Sequence, residues 1–134
     1  MSFVLDDRLA ADSVFVTDLP LCEVRLMNDA TWLWLLLVPR RAGLSEIIDL
    51  PPEDRHRLMD EIARASAVVR DAAAADKLNV AALGNMVRQL HVHVIARHGG
   101  DPAWPGPVWG KVPPVPYDET TLEERIGTLA RAFG

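Results

Sequence analysis

Residues 89–97 read Gln-Leu-His-Val-His-Val-Ile-Ala-Arg and hold two of the chain's four histidines, two positions apart, with a glutamine two positions before them. Near neutral pH an imidazole can act as nucleophile, general acid or metal ligand. The segment alternates polar and aliphatic side chains, the period of a half-buried strand. Gln89, His91, His93 and Ile95 therefore share one face, and Leu90, Val92 and Val94 the other. A neutral imidazole attacks phosphorus well when its second ring nitrogen is held by an acceptor that fixes the tautomer. His93, beside His91, could hydrogen-bond a phosphate oxygen or assist a leaving group. Gln89 can donate to an oxyanion through its amide but carries neither proton nor charge.

These side chains need a scaffold, and the pattern around them supplies one. Residues 5–10 read as a short helix and 14–16 as a short strand that ends at Asp18-Leu19-Pro20. Residues 21–27 alternate Cys22, Val24 and Leu26 against Glu23 and Arg25, a second strand. Asn28-Asp29-Ala30-Thr31 supplies turn chemistry, and the apolar run 32–38 returns as an antiparallel partner closed by Pro39. Pro51-Pro52-Glu53-Asp54 starts a helix, with proline and acids in the first turn. Leu58, Ile62, Ala65, Val69 and Ala72 then give an amphipathic helix of about five turns. Residues 78–83 form a fourth strand, and Gly84-Asn85 turns into the histidine strand. The stretch 99–116, rich in glycine and proline, is a long loop. A last helix runs from about Thr121, capped by Thr120 with Glu123 or Thr121 with Glu124, and buries Leu122, Ile126, Leu129 and Phe133. Strand pairs with short connections around a central helix predict an α+β fold with an antiparallel sheet, one long helix packed on it and a C-terminal helix.

The chain has 134 residues, about half of them apolar, which fits one domain with a disulfide-free core. The lone cysteine, Cys22, forms no internal bridge and suits a reducing compartment. Acid appears early, at Asp6 and Asp7, so no signal peptide is read, and the run 32–38 is far shorter than the roughly 20 residues that span a bilayer. A cytoplasmic location with no membrane partner is expected. A net charge of −5 argues against a nucleic-acid polymer as partner, but not against a mononucleotide, which needs only a local pocket.

The strand exit Val38-Pro39-Arg40-Arg41, the segment Ile48-Asp49-Leu50-Pro51-Pro52-Glu53 before the long helix, and the histidine strand itself resemble the histidine triad (HIT) family. Its signature is His-φ-His-φ-His-φ-φ, with φ apolar. The likeness covers roughly residues 3–105, within a single HIT-like domain spanning 1–134 whose C-terminal loop and helix occupy 106–134. Aligned on the signature, Gln89 takes the first histidine position, His91 the second and His93 the third. The resemblance implies that His91 is the nucleophile. It would attack the α-phosphate of a nucleotide, form a nucleotidyl-histidine and release it to water, with His93 and Gln89 completing the catalytic set. Trp34 falls where many members carry a fourth histidine close to the first, so both of those imidazoles are exchanged here. The family's phosphate-contacting loop is short in this chain, as Gly84-Asn85-Met86-Val87-Arg88, where Asn85 or Arg88 could serve; Arg88 is offset by one from the His91 face. Asn28 matches an asparagine near the ribose in relatives. The resemblance thus implies a nucleotide hydrolase or transferase acting on dinucleoside polyphosphates, nucleoside phosphoramidates or adenylylated small molecules. It implies a homodimer, with no cofactor and no metal.

Other readings of the same residues stand beside this one. The replacements at Gln89 and Trp34 fit a nucleotide-binding module without turnover. His91 and His93 could also belong to a metal site, with His56, His98, Cys22 or acids as further ligands, although no Cys-x-x-Cys or His-Glu-x-x-His spacing supports it. His56, in a charged run at a helix start, reads as solvated, and His98 as a loop residue. Trp32 and Trp34 read as core. Trp104 and Trp109, in the long loop, could cover a base, meet a partner subunit or anchor the loop, and anchoring is the expected role. Arg40 and Arg41 read as solvated, and the stripe Met59, Ile62, Val69 as core or dimer contact.

Overall fold

The computed structural model describes residues 2–134. Its elements are α1 (Asp7–Asp12), β1 (Ser13–Asp18), β2 (Cys22–Met27), β3 (Trp34–Pro39), a 3-10 turn (Ile47–Asp49), α2 (Pro52–Ala73), β4 (Lys77–Ala81), β5 (Val92–Arg97) and α3 (Glu119–Phe133). The expected α+β class is the observed one. Five antiparallel strands lie in the order β1-β2-β3-β5-β4, so the histidine strand is inserted between β3 and β4.

The two faces of the sheet bury different clusters, as period-two alternation requires. Leu90, Val92, Val94 and Ala96 face Leu58, Ile62, Ala65 and Val69 of α2 and Leu129 and Phe133 of α3. Ile95 joins Trp34, Leu36 and Val38 on the other face, under Leu9 of α1 and Ala103 and Val108 of the long loop. That second face carries the histidines. It is covered by one short helix and a loop, which leaves room for a groove.

Several boundaries differ from the sequence reading. Hydrogen-bonded pairing of β5 starts at Val92, so Gln89 and His91 belong to the connection that follows β4, which is longer than a Gly84-Asn85 turn. β3 starts at Trp34 rather than residue 32. α2 has 22 residues, about six turns, and Ala72 is exposed. α3 is capped by Asp118, whose carboxylate accepts from the Thr121 N–H, in place of either threonine. Asp118 lies immediately before the first turn, where its carboxylate meets the N–H of the third helical residue, a position the capping-box pattern obscured.

Candidate active site

His91 sits where the connection enters β5, and His93 one pleat further along it. Both are buried, at 7% and 5% exposure, and their rings meet edge to face with centroids 5.0 Å apart. His91 Nδ1 lies 2.7 Å from the Gln89 carbonyl oxygen. A carbonyl only accepts, so Nδ1 carries the proton and Nε2 holds a free lone pair. His93 is fixed in the opposite sense. The Trp34 indole Nε1–H donates to His93 Nδ1 at 2.9 Å. An indole only donates, so that Nδ1 is unprotonated and the proton of the neutral ring is on Nε2. Burial first, and the neighbouring His91 second, push the His93 pKa down from 6.5 to about 3. The pair thus offers one imidazole lone pair and one neutral N–H donor side by side.

The register explains how Trp34 reaches His93. β3 pairs with β5 so that Leu36 faces His93 and Trp34 faces Ile95. Trp34, two residues from Leu36, is the diagonal neighbour of His93 on the same face. Trp32 and Trp109 pack against Trp34 edge-on, at centroid distances of 6.3 and 5.8 Å, and Trp109 also meets the His93 ring at 5.1 Å.

Two cavities flank His91. One, of about 350 Å³, is lined by both histidines, Trp109, Asn85, Leu9 and Asp12, among others. The second, of about 270 Å³, lies on the other side of His91, between Gln89, Ser45, Ile47 and Ile48. Gly84 borders both, in the left-handed backbone region at φ +77°, where a side chain would be strained. A third cavity of about 390 Å³, holding Asn28 and Trp34, shares Asp12 and Met27 with the first. The two larger volumes fall within the range of small-ligand pockets.

The predicted residues are therefore brought to one region, with distinct surroundings. Gln89 is outside the cavity that contains both histidines. Its amide Oε1 accepts from the Asp6 N–H and its Nε2 donates to the Val4 carbonyl, both at 2.8 Å, so it ties the N-terminal segment beside His91. Asn28 accepts from the Tyr117 N–H at 2.9 Å and anchors the chain just before α3. Arg88 lies apart, in a pocket with Gly43, Leu44, Ser45 and Gln89. Arg40 and Arg41 are held by Asp18 and Asp54. His56 is exposed, and His98 Nε2 lies 2.9 Å from the Ala73 carbonyl. Among the described residues, no three His, Cys, Asp or Glu side chains converge as a metal site would require. Burial, reinforced by Glu61, raises the Cys22 pKa, leaving an unreactive thiol.

The sequence places Trp34 near the first triad position without its hydrogen bond to His93, leaves Trp109 as a loop anchor, and assigns α1 no part in the site. Trp34 could have been found by pairing the two strands at face parity. Trp109 and Leu9 come from segments whose placement no local pattern encodes.

The profile of the HIT domain family matches residues 8–100. A histidine triad protein of Bradyrhizobium japonicum is 47% identical, with 100% of both chains covered and a TM-score of 0.97. One from Marinobacter aquaeolei is 50% identical over 99% of this chain and 97% of its own, with a TM-score of 0.96. A protein of Sulfolobus tokodaii described as a hypothetical histidine triad nucleotide-binding protein shares the fold at 18% identity and a TM-score of 0.70, over 95% of this chain and 87% of its own. No curated protein matches the chain.

Proposed function

The chain belongs to the histidine triad family, and we propose that it is a nucleotide hydrolase or nucleotidyl transferase that uses His91 as its nucleophile. Family members generally bind nucleotides and act as hydrolases or transferases. The observation that carries the reading is the 2.7 Å contact between His91 Nδ1 and the Gln89 carbonyl, which leaves the Nε2 lone pair for attack.

In the proposed reaction, His91 Nε2 bonds to the α-phosphorus of a nucleotide. The bond from phosphorus to the leaving group breaks, and its electron pair stays on the departing atom. The ring keeps its Nδ1 proton, and the Gln89 carbonyl stabilises the positive charge that develops. His93 donates its Nε2–H to a phosphate or leaving oxygen. Water then attacks phosphorus, the electron pair returns to Nε2, and the water proton passes to solvent. Gln89 is the variant first member of the triad: it acts through its carbonyl and keeps a second amide N–H for an oxyanion. Asn85, beside the histidines, and Asn28, in the adjoining cavity, bind substrate. Candidate substrates are dinucleoside polyphosphates, nucleoside phosphoramidates and adenylylated small molecules.

The protein is proposed to work as a cytoplasmic homodimer. β4 is an edge strand with Val80 exposed on it, and Leu83 and Met86 are exposed just beyond; a monomer in sedimentation would refute the dimer. A nucleotide-binding module without turnover is the second reading, favoured by the commitment of the Gln89 amide to the N-terminal segment. Turnover of a nucleotide panel by wild type and His91→Ala separates the two. The enzyme reading expects wild-type turnover and at least about a 10³-fold loss in the variant. Full activity of His91→Ala would refute the nucleophile.

A further inference from the structure

We propose that Trp34 is a specificity-determining positioning residue: by donating to His93 Nδ1 it holds His93 as a neutral Nε2–H donor, and so restricts the site to phosphoanhydrides over phosphoramidates. The inference rests on the proposed reaction at His91.

His93 Nδ1 already accepts the Trp34 indole N–H at 2.9 Å. A cationic His93 would carry a proton on Nδ1 as well, pointing it at another N–H. Turning the Trp34 ring away would break its edge-on packing with Trp32 and Trp109. The groups around His93 do not compensate. His91 is its titratable neighbour, at 5.0 Å between ring centroids, and a cation there opposes a second one. Asp12, an exposed residue at the end of α1, is the acid lining the shared cavity. β3 and the long loop present Trp34 and Trp109 to the ring, and β4 presents Ala81 opposite it. Burial acts in the same direction, lowering the His93 pKa to about 3.

Leaving groups respond differently to such a donor. When the bond from the α-phosphorus to a bridging oxygen breaks, the electron pair goes to a phosphate oxygen that is stable as an anion. A hydrogen bond from His93 Nε2–H suffices. When a phosphorus–nitrogen bond breaks, the departing nitrogen must gain a proton, because an amide anion is far too basic to leave. A neutral His93 could supply it only by becoming an imidazolate. General acid catalysis contributes about 10²–10⁴-fold, so its loss should fall almost wholly on the phosphoramidate.

The test compares kcat/KM for a nucleoside polyphosphate and a phosphoramidate of the same nucleoside, from pH 5 to 8, in wild type and Trp34→Phe. Wild type should favour the anhydride by at least about 100-fold. Trp34→Phe frees His93 Nδ1 from the indole and opens it to the adjoining cavity, which relieves part of its burial, so the ratio should fall at least tenfold, with phosphoramidate turnover rising towards low pH. Nitrogen-15 NMR of the wild-type His93 ring needs no variant: it should show Nδ1 unprotonated and Nε2 protonated throughout that range. A protonated Nδ1, equal wild-type use of both substrates, or an unchanged ratio in a folded Trp34→Phe would overturn the proposal. Turnover with an unmoved ratio refutes Trp34 alone, whereas a wild type inert on both substrates refutes the reaction at His91 and this inference together.

Discussion

Protonating His93 means taking a proton into a ring that is 5% exposed, beside another histidine and against an indole donor. That cost also appears in folding. The folded pKa of about 3 lies below the ordinary 6.5, so between those values the unfolded chain binds a proton that the folded one refuses. Stability is then complete above about pH 6.5 and is lost as pH falls towards 3, by at most about 1.4 kcal/mol per pH unit from this residue. Urea unfolding at a series of pH values should show a slope in that window that is shallower in His93→Gln; equal slopes would mean that His93 titrates freely. Its neighbour His91 stands out in the sequence as a candidate for chemistry, because two imidazoles on one strand face are a poor use of a core. The tautomers were not legible. They depend on a backbone carbonyl and an indole, and a tryptophan inside an apolar run looks like packing alone.

The elements hold these rings in place through a few buried polar ties. Arg97, at the end of β5, makes a bidentate pair with Asp101 at 2.8 and 2.9 Å and reaches Asn79 of β4 at 2.8 Å. Asp101 also accepts from the backbone of His98, Ala103 and Trp104, so it closes the turn that starts the long loop. Hydrogen bonding to Arg97 holds its carboxyl well below the ordinary 3.8. Asp101→Asn should therefore cost about 3 kcal/mol by leaving Arg97 buried and unpaired. Tryptophan emission should change as the loop carrying Trp104 and Trp109 loosens. A loss below about 1 kcal/mol with unchanged emission would show that this pair does not hold the loop. Strands and helices could be read from the chain to within a few residues because their apolar periods are strong: Leu58, Ile62, Ala65 and Val69 fall on one buried stripe. The loop could be read only as a loop. Its anchoring depends on Asp101 meeting the arginine that ends the histidine strand, a pairing no local pattern encodes, and on Val108 packing under a sheet face that the sequence leaves open. The start of α3 was misplaced for a related reason: three candidate caps stand within four residues, at 118–121, and side-chain geometry chose Asp118.

At the scale of the molecule, the proposed reaction requires an acidic protein of net charge −5 to receive a polyanion. Among the described residues, neither lysine nor arginine lines the three cavities around His91 and Asn28. Phosphate recognition then falls to N–H donors, and the long-range field repels substrate. Raising ionic strength from about 0.01 to 0.15 M shortens the screening length from about 30 to 8 Å. The value of kcat/KM should therefore rise or hold steady across that range, whereas a steep fall would reveal a cationic steering surface. Charge and composition gave this much from the sequence, while the placement of the cavities required the fold. In the proposed reaction His91 Nε2 carries the nucleotide between two displacements. Rapid mixing with a substrate labelled at the α-phosphate, cold quenching under denaturing conditions and peptide mass spectrometry test it directly. The nucleotidyl group is expected on the peptide containing His91, with none on His91→Ala. Turnover without any covalent adduct, or an adduct on His93, would contradict it.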